Sequence, residues 1–218
     1  MKKILVIGAT GQIGSALMTK LRKEYGTDNV VAGYIEGVPL SDELKNGGPL
    51  EIADVTNAQQ IAAIIDKYKI DSIYNLAAIL LAWNIQIGGV LNLLEISREK
   101  GCSLFTPSSI GAFGDSSPKM KTPQETIQRP RTIYGVSKVS CELLSDYYFY
   151  RYGVDTRSVR FPGLISYETL PGGGTTDYAV EIYYAAVKGE KFEIPVKAGT
   201  FMDMMYMPDA LKAMVMLM

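Results

Sequence analysis

Tyr134 and Lys138 stand four residues apart in a chain of 218 residues that contains no histidine. Without an imidazole there is no Ser-His-Asp or Cys-His nucleophile, no histidine base, and no zinc site built on nitrogen ligands. Proton transfer therefore falls to Tyr, Lys, Asp, Glu or Cys. A phenol with its ordinary pKa of about 10 is a poor base at neutral pH, but an ammonium at i+4 on the same helix face favours the phenolate. Upstream, Thr106-Pro107-Ser108-Ser109 follows a short apolar run, where hydroxyls would leave the carboxyl edge of a sheet on the side that receives ligands.

A second constellation is Gly8-Ala9-Thr10-Gly11-Gln12-Ile13-Gly14, directly after Ile4-Leu5-Val6-Ile7 and before a stretch with helical spacing. In such a loop the first glycine makes the tight turn and the second admits a pyrophosphate. The third lets helix pack close to strand, and the helix N-terminal amides face the phosphates. The bland alternative is a plain tight turn between strand and helix. Where an acid commonly binds the adenosine ribose, this chain has Gly33-Tyr34-Ile35, with Glu36 the nearest acid and no arginine to hold a 2′-phosphate, which favours NAD over NADP. Asp54 is the next candidate, either as a contact to adenine or as a helix N-cap.

These groups need elements to hold them. Strands are predicted at 4–7, 30–32, 49–53, 72–77, 103–106 and 154–160, with helices at 13–22, 59–68, 90–100, 134–152 and 177–188. Strand and helix alternate, which predicts an α/β doubly wound parallel sheet of the Rossmann kind. Residues 1–165 would form the dinucleotide-binding domain. Residues 166–218, with the glycine-rich stretch 170–176, would form a small, incomplete substrate lobe whose last helix packs back on that domain. Met202 to Met218 reads as adaptable packing rather than a metal site.

The balance of 22 Lys plus Arg against 23 Asp plus Glu leaves no basic face for nucleic acid or anionic lipid, and no apolar run reaches membrane-spanning length. Cys102 and Cys141 read as small buried hydrophobes in a reducing, cytoplasmic setting. The expected partner is a small molecule, and no metal is expected.

The glycine loop, Ser109 and the Tyr134–Lys138 pair together resemble the short-chain dehydrogenase/reductase superfamily, in the extended branch that includes nucleotide-sugar epimerases. The runs 107–114 (PSSIGAFG), 129–138 (RPRTIYGVSK), 161–167 (FPGLISY), 170–180 (LPGGGTTDYAV) and 204–210 (MMYMPDA) are similar to the short-chain L-threonine 3-dehydrogenases. That resemblance implies NAD as cofactor, L-threonine as substrate, Tyr134 as acid/base, Lys138 as its partner and ribose ligand, and Ser109 as the hydroxyl that orients the substrate. Ser108 is assigned a structural or cofactor-side place. It further implies that Val55, Leu76, Ala77, Ala78, Phe161 and Ile165 line the cofactor with the loop residues, and that Thr175 and Thr176 touch the amino or carboxylate group. Tyr147, Tyr148, Tyr150 and Tyr152 would be helix packing or a dimer surface, and the family implies a homodimer.

Departures are visible. Relatives carry a short polar segment after LAAIL, where Leu80 here runs into Leu81-Ala82-Trp83. Gln86 stands where they have Asn, and the chain reaches Met218 before the remaining substrate-lobe elements expected of them. Two other readings follow: a nucleotide-sugar epimerase or dehydratase, and a dinucleotide sensor without catalysis.

Overall fold

Four apolar residues in a row, Ile4–Ile7, form β1 and are buried on both faces, as the middle of a parallel sheet requires. The computed structural model describes residues 2–77, 83–167, 174 and 176–218. The chain continues through α1 (Gln12–Tyr25), β2 (Val30–Tyr34), a short α2 (Asp42–Asn46), β3 (Leu50–Ile52), α3 (Ala58–Tyr68) and β4 (Ser72–Asn75). A π-helical turn at Asn84–Gly88 leads into α4 (Gly89–Lys100), followed by β5 (Ser103–Phe105), β6 (Ser108–Ser109) and α5 (Ile133–Tyr152). Then come β7 (Thr156–Arg157), β8 (Arg160–Phe161), β9 (Gly163–Ile165), α6 (Tyr178–Lys188), β10 (Met204–Tyr206) and α7 (Met207–Leu217).

The main sheet is parallel in the order β3-β2-β1-β4-β5-β7, the doubly wound α/β fold expected. One apolar layer packs Leu5, Ile7 and Ile73 against α3, α4 and α5. On the other face, Ile4, Val6 and Phe105 meet Leu17, Met18 and Leu21 of α1 and Met207, Ala210, Leu211 and Met214 of α7. The methionine-rich end thus divides: Met207 and Met214 fill core, while Met216 is exposed.

The strand expected at 154–160 is two strands. Pro107 has no N–H to give, so the ladder begun by β5 and β7 is interrupted there. It resumes one step on as β6 paired with β8, with Ser108 opposite Arg160 and Ser109 opposite Phe161. The strand expected to reach Ala77 ends at Asn75, because the Asn75 side chain accepts the Ala77 amide and turns the chain. β9 and β10 form a separate parallel pair, with Ile165 opposite Tyr206.

Candidate active site

The loop after β1 is built around two obligatory glycines. Gly8 has φ +83°, and a Cβ there would lie 2.9 Å from the Leu76 carbonyl; at Gly14 a Cβ would collide with the Gly8 carbonyl oxygen. Gly11 differs, since a Cβ would meet only the Gly8 oxygen, at 3.4 Å. Packing therefore leaves that position open to the outside. No side chain caps α1, and its first turn holds no acid, so the helix keeps free amide donors and positive dipole for an anion. The donor set fits a dinucleotide pyrophosphate. Thr10, Gln12 and Ile13 flank these donors, half-buried.

The same loop abuts the ends of the next strands, because the atoms nearest Gly8 belong to Leu76 and Ala77. A small crevice then runs from Leu76 and Ala77 past Gln86, Thr106 and Pro107 to Lys138. Lys138 is buried, and its Nζ donates to the Pro107 carbonyl at 2.8 Å and lies 5.5 Å from the centre of the Tyr134 ring. Burial pulls the ammonium below the ordinary lysine range, with Cys141 and Glu142 opposing that fall. Burial also pushes the Cys141 thiol up to about 11, so it stays a neutral neighbour at neutral pH.

Local sequence explains the position of Tyr134. Thr132 caps α5 by accepting the Gly135 amide at 3.0 Å, and a Cβ on Gly135 would strike the Gly111 oxygen. The helix start is thus pressed on the 3₁₀ turn Ile110–Ala112, which Ser109 caps by accepting the Gly111 amide at 3.1 Å. A Cβ on Gly111 would lie 3.2 Å from the Tyr134 ring and 3.4 Å from Ser109 Oγ. Tyr134, Ser109 and Lys138 therefore share one edge, beside the strand ends that meet the glycine loop.

Other expected residues fall less centrally. Asp54 is not a helix cap: its Oδ1 accepts from the amide and hydroxyl of Thr56, and α3 is capped by Asn57. Val55 is buried against Gly89, with its carbonyl bound by Asn92. Phe161 is core, and Ile165 lies in β9. Thr176 stands over β9, its side-chain carbons 3.0 Å from where a Gly163 Cβ would be. Ala78 and Thr175 lie outside the described residues, as does the Leu80–Ala82 departure. Gln86 is buried on the π-helical turn and accepts from Ser137 Oγ.

The sequence missed Glu142. It accepts from Ser108 Oγ, from Gln128 Nε2 at 3.0 Å and from Arg160 through Nε at 3.0 Å and Nη2 at 2.7 Å. Burial opposes its charge, but the hydrogen bonds from Arg160, Ser108 and Gln128 outweigh burial and hold the carboxyl below its ordinary range. The spacing 134, 138, 142 on one helix face was the available signal. A cleft of about 820 Å³ opens nearby, between the 119–124 loop, α5, β7 and β8. It is lined by none of Tyr134, Lys138 or the glycine loop.

Strand order, glycine loop and the Tyr134–Lys138 pair define a nicotinamide-dinucleotide enzyme. The chain belongs to the NAD dependent epimerase/dehydratase family, whose pattern matches residues 4–218. It is 53% identical to an uncharacterised epimerase/dehydratase of Staphylococcus aureus (strain USA300), over all of this chain and 70% of that protein. That match spans 227 aligned positions against 218 residues here, so the relative carries residues within it that this chain lacks. The fold superposes on the L-threonine dehydrogenase from Clostridium difficile with a TM-score of 0.94 and 54% identity, covering 99% of this chain and 70% of that one. For the GalE-like L-threonine dehydrogenase from Cupriavidus necator in its holo form the TM-score is 0.92 and the identity 43%, covering 98% and 71%.

Proposed function

We propose that this chain oxidises the β-hydroxyl of L-threonine to a ketone, giving 2-amino-3-oxobutanoate. The observation that carries the reading is the convergence of Ser109, Tyr134 and Lys138 on one edge beside the glycine loop. The similarity to L-threonine dehydrogenases at 54% and 43% identity supports L-threonine as the substrate. NAD, when bound, supplies the hydride acceptor.

The chain's own residues do the rest. The loop from Gly8 to Gly14 and the open end of α1 hold the phosphates, and Leu76, Ala77 and Val55 lie along the dinucleotide. Tyr134 as phenolate takes the hydroxyl proton. Ser109 Oγ already accepts from the Gly111 amide, which leaves its own proton to point at the reacting oxygen. Lys138 stabilises the phenolate charge and takes the ribose hydroxyls. Thr175 and Thr176 are assigned to the amino or carboxylate group.

We also assign a homodimer to the outer face of α5. Ile133, Val136, Leu143, Tyr147 and Tyr150 are all exposed and fall at helical spacing along it, while Tyr148 turns inward to the core. The two free, buried thiols suit a reducing cytoplasm. Among the described residues no helix is long and apolar enough to cross a membrane.

A thermal-shift panel of NAD, NADP, L-threonine and a nucleotide diphosphate sugar, singly and paired, tests the reading. Stabilisation by NAD that grows further with L-threonine supports it. A response to the nucleotide sugar in place of L-threonine points to the epimerase or dehydratase reading, and NAD binding with no second ligand points to a sensor.

A further inference from the structure

Ser108 and Ser109 are consecutive residues of a two-residue strand, so their side chains leave it on opposite sides. Ser109 faces the turn under Tyr134, and Ser108 meets Glu142 on α5. Glu142 is one turn beyond Lys138, which is one turn beyond Tyr134. The carboxylate also takes the fork of Arg160 from β8, the strand paired with β6. Arg160 in turn binds the Gln124 carbonyl through Nη1 at 3.0 Å and lies over the Phe113 ring at 5.4 Å. One carboxylate thus joins the helix that carries Tyr134 and Lys138 to the strand that carries Ser109. The residue before that strand, Pro107, presents the carbonyl that Lys138 binds.

We propose that Glu142 is a positioning residue for this site: it latches β6 to α5 through Ser108, and from the small crevice it lines together with Lys138, Pro107 and Ser108 its charge, metered by Arg160, favours the ammonium form of Lys138. The proposal rests on Tyr134 and Lys138 being the proton-transfer pair. Among the described residues, the ionisable groups that face Lys138 are Tyr134, Cys141 and Glu142, all on α5; from the strand side it meets the Pro107 carbonyl, and from the π-helical turn Gln86 lines its crevice. Glu142 faces Arg160 from β8 and Asp146 on its own helix, with the neutral Ser108 and Gln128 completing its shell. Since Cys141 is a neutral thiol at neutral pH, Glu142 is the anion available to Lys138 there.

The two charges give opposite signs, which general damage to the fold would not. Titration of the Lys138 side chain is followed by NMR on 13C-lysine-labelled protein, its signal assigned with Lys138→Arg. Glu142→Gln should lower the Lys138 midpoint by about half a pH unit or more, because it removes the anion and leaves Arg160 unpaired. Arg160→Gln should raise it, because the carboxylate is no longer neutralised. The alkaline limb of kcat should move with each midpoint. Ser108→Ala, which unlatches the strand without touching a charge, should lower kcat about 3- to 10-fold and leave KM for NAD within about twofold. An unchanged Lys138 midpoint in either charge variant, shifts in one common direction, or a parental kcat in Ser108→Ala overturns the proposal. If Glu142→Gln does not fold, Arg160→Gln decides alone. A parent without L-threonine turnover would sink the functional reading, while the Lys138 titration would still judge the coupling.

Discussion

Lys138 holds its ammonium 5.5 Å from the centre of the Tyr134 ring. One helical turn separates them, and the crevice that buries the lysine also fixes the direction of its side chain through the Pro107 carbonyl. A long, charged side chain is thereby stripped of water to stand beside a phenol, an arrangement that favours chemistry over stability.

That tension is measurable. Burial lowers the folded-state pKa of Lys138 beneath its unfolded value of about 10.4. The unfolded chain therefore holds the proton more tightly. The lysine's favourable share of stability is present above about pH 10 and is lost as pH falls through the folded value. At neutral pH, Lys138→Met should melt about 2–4 °C higher than the parent, a gain of about 1 kcal/mol, while turnover is lost. The gain should shrink as the melts are repeated toward pH 10. A variant that melts lower at every pH contradicts the assignment of a strained, desolvated ammonium.

Glu142 has the opposite sign. Its carboxyl lies below its ordinary range, so the ion pair with Arg160 contributes stability above about pH 4.3 and loses it as pH falls through the folded value. The pair keeps some solvent contact, so Glu142→Gln should destabilise by about 1–2 kcal/mol at pH 7, less than a fully buried pair would. The difference between the two proteins should narrow in urea melts as pH falls below about 4.3 and through the folded value.

The glycine loop separates packing from binding. Gly8→Ala and Gly14→Ala should each destabilise by about 2–3 kcal/mol, the first through its positive φ and the Leu76 carbonyl, the second through the Gly8 carbonyl. Gly11→Ala should change stability by less than about 0.5 kcal/mol yet weaken NAD binding by about tenfold or more, because its Cβ would enter ligand space. Calorimetric melts paired with NAD titration distinguish them; a Gly11→Ala that binds NAD at parental strength contradicts the placement of the phosphates.

Much of this was legible from the chain alone, for identifiable reasons. Ile4–Ile7 followed at once by Gly8 reads as a buried strand turning sharply, and the spacing of Tyr134 and Lys138 survives any helix boundary error. Pairings of two residues were not legible. Neither Ser108–Ser109 nor Arg160–Phe161 has the length to show a period, and the break at Pro107 that separates them from the main sheet reads locally as a turn. Of the two roles open to Asp54, the cap is excluded only by the structure, because Asn57, three residues on, performs that task. Glu142 was hidden differently: its partners Ser108, Gln128 and Arg160 come from three separate segments, and only tertiary contact shows them together.

The outer face of α5 gives an assembly prediction. Leu143 is exposed at the middle of the stripe from Ile133 to Tyr150, and a charge there would be buried unpaired in a dimer. Leu143→Glu should convert a dimer to a monomer in sedimentation velocity while leaving the far-ultraviolet circular dichroism unchanged. Equal sedimentation of parent and variant removes this face as the interface.

The central claim is a hydroxyl oxidation that Tyr134 drives, and NADH formation from NAD and L-threonine reads it directly. The parent should produce NADH at a rate that saturates with L-threonine, and Tyr134→Phe, with NAD affinity retained, should lose about 100-fold or more of kcat. Parental turnover in Tyr134→Phe, or no NADH from the parent with L-threonine, would contradict the account.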